Sequence, residues 1–174
     1  IEALPYMTEV ERQGEVANFP LLLNGFNRLN EQQRGQLVSG INAVASEFPG
    51  NTRLLLTQAL IHAEFDQYNQ ALEKLEQIFS QEPYQPQAIL LEAKILLTQH
   101  AKKPYARLQR ALQDNPEDKR LRLQYARLLT TSDLAAAREQ FEILSAQSPR
   151  DGDLLLSLAL INREIGDDLA AKAY

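Results

Sequence analysis

The stretch QALEKLEQIFSQEP, residues 70–83, decides the fold of this chain. It places Ala71, then Leu75 four residues on, then Pro83 eight beyond that. The cadence returns in AAREQFEILSAQSP, residues 136–149, where Ala137, Phe141 and Pro149 hold the same places. It returns more loosely in RLQRALQDNP, ending at Pro116, and in SGINAVASEFP, ending at Pro49. The four prolines are spaced by 34, 33 and 33 residues. Ahead of each, by 23 or 24 residues, stands Gly25, Ala59, Ala93 or Ala126, and Ala159 follows one period after Ala126.

A period of that length is the mark of a stacked repeat, and each proline here follows an apolar-periodic helical stretch. Two antiparallel helices need a small side chain where their axes come close, and Ala59 and Ala71 suit such crossings. Leu75 or Phe141 fills the gap toward the neighbouring unit. The proline ends the second helix, because it has no N–H to continue the hydrogen-bond ladder. One helix pair cannot bury its apolar stripe alone, so the units must stack.

Composition agrees. Of the 174 residues, 44% are hydrophobic and 24% charged, which argues against disorder. Leu, Ala, Gln and Glu, all good helix formers, dominate. No apolar run approaches the roughly 20 residues of a spanning helix. There is no Cys, which excludes disulfides and thiolate chemistry within the chain but implies no particular compartment. The sequence opens IEALPYMTEV and stops at DDLAAKAY, inside an apparent helix, and reads as a fragment of a longer protein.

The spacing predicts helices over 6–13, 20–29, 32–48, 52–65, 69–81, 86–99, 104–114, 118–130, 134–147, 152–165 and 168–174. Asn30 with Gln33 reads as a capping box. Ser132 and Asp151 read as N-caps, and Pro104 fits a first helical turn. Gly35 and Gly40 stand inside a helix, where each costs about 1 kcal/mol relative to Ala. Close packing would account for Gly40; Gly35 has no evident reason.

With its small residue, A-x₃-F spacing and terminal proline, the chain resembles the tetratricopeptide repeat (TPR) family. The match is clearest in 52–83 and 119–149, where FDQYNQALEKL and TSDLAAAREQF fill the turn and second helix. It is looser in 18–49, where Leu37 replaces the Ala, and in 86–116, where Pro104 does. The family's large aromatic near the start of each unit is absent; those places hold Leu21, Leu55, Ile89, Arg122 and Leu155. The resemblance implies an all-α, right-handed α-solenoid of about four units and part of a fifth (18–49, 52–83, 86–116, 119–149, 152–174), one superhelical domain over 1–174. Pentatricopeptide repeats have a similar period and read RNA, but they want a basic surface, whereas the net charge here is −5. Nucleic acid is not an expected partner.

Chemistry is sparse. His62 and His100 have no second His or suitably placed carboxylate, and read as packing or solvent-edge side chains. Zinc-ligand spacing, a G-x-S-x-G nucleophile and a Walker A loop are all missing. Glu117/Asp118 and Asp167/Asp168 sit at helix starts, where the helix dipole favours them. No catalytic residue, cofactor or metal is expected, and the chain reads as a non-enzyme.

The resemblance implies instead that first helices line a concave groove for a protein or peptide partner, with the second, fifth and ninth places of each unit among those facing it. Those places are Phe19, Leu22 and Phe26; Arg53, Leu56 and Leu60; Gln87, Leu90 and Lys94; Arg120, Leu123 and Arg127; Asp153, Leu156 and Leu160. The expected site is Arg53, Leu56, Leu60, Leu90, Lys94, Arg120, Leu123 and Arg127. Leu holds the fifth place in every unit, which gives an apolar strip with cations beside it, unlike the Lys/Asn clamp that holds chaperone tails. The alternative for these leucines is burial against neighbouring helices.

Charge is uneven as well. Lys102, Lys103, Arg107, Arg110, Lys119, Arg120, Arg122 and Arg127 outnumber Asp114, Glu117 and Asp118 between 101 and 127. Such asymmetry steers an acidic partner or, more plainly, marks a solvated face. DKRLRLQYARLL and DLLLSLALI resemble bacterial outer-membrane TPR lipoproteins, which implies a periplasmic or outer-membrane-anchored adaptor for a protease or cell-wall hydrolase. The alternatives are a structural solenoid of an envelope or exopolysaccharide-export assembly, and the docking arm of a larger enzyme. Self-association through exposed solenoid ends is a further expectation.

Overall fold

The structure is a computed structural model that describes residues 29–173. The helices expected over 6–13 and 20–29, Gly25, and the groove places Phe19, Leu22 and Phe26 lie outside the described residues. Nine helices follow among them: α1 (Glu31–Glu47), α2 (Thr52–Glu64), α3 (Tyr68–Gln81), α4 (Pro86–Thr98), α5 (Ala106–Asp114), α6 (Lys119–Leu129), α7 (Leu134–Gln147), α8 (Gly152–Ile165) and α9 (Asp168–Ala173). The described residues contain no strand.

The prolines work as the period requires. In the turns 48–51, 115–118 and 148–151 the last N–H donates to the first carbonyl, at 3.2, 3.2 and 3.1 Å, with the proline second. That is the place where a fixed φ suits a β-turn. Two residues after each proline stands the residue that opens the next first helix. Asn51 Oδ1 accepts from the amides of Arg53 and Leu54, both at 3.1 Å. Gln85 Oε1 accepts from Ala88 at 2.6 Å, Asp118 Oδ1 from Leu121 at 2.8 Å, and Asp151 Oδ1 from Asp153 and Leu154 at 3.1 and 3.3 Å. Each satisfies a donor that the first turn cannot pair internally. The Asn30–Gln33 capping box is present in full.

The turns within units follow a second rule. Asp66, His100 and Gly166 adopt φ of 57°, 54° and 88°. Around each, the next residue's N–H reaches back five residues (Gln67 to His62, Ala101 to Leu96, Asp167 to Asn162) and its own N–H reaches back three. This is the Schellman ending of a helix. The 119–149 unit departs from it: Asp133 N–H bonds Leu129 O, and Asp133 caps α7 through Ala136 N. The cap expected at Ser132 is therefore corrected to Asp133, and the Ser132 hydroxyl instead meets Tyr105 Oη at 2.9 Å. Pro104 is likewise corrected: it lies in a turn before α5, which starts at Ala106. Gly35 meets nothing within 4 Å of where a Cβ would stand, so packing does not explain it.

The chain gathers into two compact units, the first ending at Ile95 and the second starting at Leu96. In the first, α1 packs on α2 and α2 on α3. Ile41, Val44, Leu54 and Ile61 form a buried cluster, against which Leu37, Val38, Ala45 and Phe48 pack. Ala59 and Ala71 are fully buried, as helix crossings demand, and so are Leu75 and Ile78. Thr52 Oγ1 donates to Glu82 Oε1 at 2.8 Å, tying the start of α2 to the end of α3.

In the second unit α5 packs on α6, α6 on α7, α7 on α8 and α8 on α9. Ala126 and Ala137 are fully buried, and Phe141 fills the place that Leu75 fills two repeats earlier. The same end-to-start tie recurs with other chemistry: Lys119 Nζ donates to Gln147 O and Ser148 Oγ, both at 3.1 Å.

Candidate partner-binding faces

Helical geometry puts the transferred places of each first helix on one stripe, because residues at i, i+3 and i+7 share a face. In the first unit α2 carries Arg53, Leu56 and Leu60, and α4 carries Gln87, Leu90 and Lys94. Arg53, Gln87 and Lys94 are exposed, while Leu60 and Leu90 are half-buried. Leu56 is 5% exposed and belongs to the core, so its side chain is taken up by packing.

In the second unit α6 carries Arg120, Leu123 and Arg127, and α8 carries Asp153, Leu156 and Leu160. Both helices pack on α7. Arg120 and Arg127 are exposed on either side of half-buried Leu123. Leu156 is 59% exposed and Leu160 46%, one turn apart. A single exposed leucine means little. Two on one stripe, in a helix whose buried face is already made by Leu154, Leu158 and Ile161, form a small apolar surface. It can take up apolar side chains of an extended segment, and the guanidinium groups of Arg120 and Arg127 can pair with carboxylates.

The two histidines stand apart from these stripes in the repeat. His62 Nδ1 lies 2.7 Å from Gln67 Oε1 inside its own turn, and His100 stands at a left-handed turn position. Among the described residues no cluster of His, Cys, Asp and Glu could hold a metal ion, and no helix is long and apolar enough to cross a membrane.

Sequence reasoning missed two features. The phased caps Asn51, Gln85 and Asp118 were readable as "two after each proline", but only Asp151 stands out beside an apolar run. The second is the contact of α5 with α6. Tyr105 stacks edge-on against Tyr125 at 5.3 Å and 64°, and Gln109 Nε2 donates to Tyr125 Oη at 2.8 Å. Its only sequence signal was Pro104 standing where the repeat wants Ala.

No family model matches the chain, and no curated protein does. Solved structures do resemble it. MamA has 18% identity and a TM-score of 0.59, covering 79% of this chain and 81% of MamA. A tetratricopeptide repeat protein from Parabacteroides merdae has 19% identity and a TM-score of 0.61, covering 99% of this chain and 68% of that one. YrrB, described as a TPR protein with an unusual peptide-binding site, has 17% identity and a TM-score of 0.53, covering 95% of this chain and 86% of YrrB. At such identities the likeness shows the fold: an all-helical α-solenoid of helix–turn–helix units, of the kind seen in TPR proteins.

Proposed function

We propose that this chain is a non-enzymatic interaction scaffold that holds an extended polypeptide against the exposed stripes of its first helices. The observation that carries this reading is the pair Leu156 and Leu160, left exposed on α8 in the same places that Leu123 and Arg127 hold on α6. Arg53, Leu60, Leu90 and Lys94 are the corresponding residues of the first unit. The partner segment carries apolar side chains spaced along an extended backbone, with carboxylates near them.

The resemblance of DKRLRLQYARLL and DLLLSLALI to outer-membrane TPR lipoproteins supports a finer reading: an envelope adaptor that presents a periplasmic protease or cell-wall hydrolase to its substrate. The experiment is cross-linked capture from the host envelope, followed by reconstitution with the purified captured protein. Wild type is compared with Leu156→Asp/Leu160→Asp and with Arg120→Glu/Arg127→Glu. Loss of the complex in both variants, with unaltered helical content, is expected. Undiminished complex formation by either would refute groove binding.

A further inference from the structure

The second helix of the 86–116 unit is cut short. α5 has 9 residues, where α3 and α7, its counterparts one repeat before and after, have 14 each. The residues that would open a full-length helix run instead through a bend and a turn at 101–105. Pro104 dictates this. Its ring pushes the preceding residue away from helical geometry, and it cannot donate to a helical ladder. The missing turn and a half leaves a cavity of about 590 Å³, lined by Lys102, Lys103, Tyr105, Gln109, Arg110 and Asp114 among others.

The two lysines and Arg110 are exposed, and face one carboxylate. Arg110 Nε lies 4.0 Å from Asp114 with both side chains mostly in solvent, a pair too weak to neutralise the site. The floor is fixed. Tyr105 stacks on Tyr125 and its hydroxyl meets Ser132 Oγ, which anchors the cation-bearing segment to the next helix pair.

We propose that this cavity is a docking site for an acidic polypeptide segment, distinct from the first-helix stripes. Charge complementarity is the argument: a cationic hollow in a chain of net charge −5 attracts carboxylates locally, while the chain as a whole repels a long polyanion. The cavity is of the size of ordinary ligand clefts. It is an open hollow confined to residues 102–114, unlike the extended basic stripe that tracks a nucleic-acid backbone.

The test is fluorescence anisotropy with a labelled short peptide of alternating Asp and Glu, and with its Asn/Gln counterpart. The proteins are wild type, Lys102→Glu/Lys103→Glu, and a charge-matched control, Arg150→Glu/Lys172→Glu. Circular dichroism checks that each is folded. The acidic peptide should bind wild type, weaken with salt, and lose about tenfold or more in affinity on the lysine variant but not on the control. Equal binding of the neutral peptide, equal loss in the control, or no loss in the lysine variant would overturn the proposal. So would tighter binding of an oligodeoxynucleotide or of phosphatidylglycerol vesicles than of the acidic peptide.

Discussion

Arg122 Nη1 donates a 2.8 Å hydrogen bond to Gln140 Oε1, and Arg122 Nη2 donates to Pro116 O at 3.1 Å. The guanidinium thereby joins α6 to α7 and to the turn before α6, from a position only 9% exposed. It stands where the TPR pattern has a large aromatic, and does by hydrogen bonding what a ring does by packing. A buried cation that loses a partner costs more than the bond itself contributes. Gln140→Ala should therefore destabilise by about 1.5–3 kcal/mol in wild type. In an Arg122→Leu background the same change should cost far less. A double-mutant cycle by urea denaturation measures the coupling, and additivity of the two changes would contradict the account.

The caps that follow the prolines should be worth similar amounts, since their geometry repeats. Asn51→Ala and Asp151→Ala each remove an oxygen that accepts two first-turn amides. Each should cost about 0.5–2 kcal/mol, read as a fall in the urea midpoint without a change in slope. Asn51→Asp should be nearly neutral, because the oxygen is retained and charge at a helix start is favourable.

The intra-unit turns predict opposite signs for two substitutions at one repeat place. His100 holds φ of 54°, where a Cβ is strained, while Gly166 holds φ of 88° without penalty. His100→Gly should stabilise by roughly 1 kcal/mol and Gly166→Ala should destabilise by about as much. A Cβ at Gly166 would meet nothing within 4 Å, so its cost is purely that of the backbone. Differential scanning calorimetry of both variants checks the pair; a shift of the same sign in both would contradict it.

These turns also mark how far the sequence was legible. Helix positions came through because the period-33 prolines and phased alanines are steric requirements that local composition states directly: α3, α4, α7 and α8 end within a residue of expectation. Boundaries failed where tertiary partners compete. Ser132 has the residue type of a cap, but its hydroxyl meets Tyr105 Oη, and Asp133 caps α7. Pro104 looked like a first-turn proline, yet helix begins only after the turn it occupies. The stripe of fifth-place leucines was legible as a stripe, but exposure was not. Leu56 is buried on α2, which packs on both α1 and α3, Leu90 and Leu123 are half-covered, and Leu156 is open, and no periodicity encodes how many neighbours a given helix has.

Tyr125 gives a pH prediction. Burial raises its pKa above the ordinary 10.0; the hydrogen bond from Gln109 opposes this by favouring the phenolate, and nearby Tyr105, Asp133 and Glu139 reinforce it. The folded state thus holds this proton more tightly than the unfolded chain does. The stability it contributes is fully present below the unfolded pKa and is lost as pH rises through the folded one. Denaturation midpoints should fall with pH above about 10, and Tyr125→Phe should flatten that fall. In an ultraviolet titration of tyrosinate, the variant should lack a late-titrating ring. An alkaline limb as steep in Tyr125→Phe as in wild type would assign it elsewhere.

Leu56 and Leu156 hold the same repeat place and should separate folding from binding. Leu56 is 5% exposed within a packed helix pair, whereas Leu156 is 59% exposed. Leu56→Asp buries an unpaired carboxylate and removes apolar packing, and should cost at least about 3 kcal/mol, enough to unfold a marginal domain. Leu156→Asp puts the charge in water and should change stability by no more than about 0.5 kcal/mol. If the stripe on α8 grips a partner, the second variant loses binding while melting like wild type. A Leu156→Asp protein that melts unchanged and still binds its partner undiminished removes α8 from the interface. The burial gradient then leaves the half-covered leucines Leu60, Leu90 and Leu123 as the apolar contacts, with Arg53, Lys94, Arg120 and Arg127 beside them.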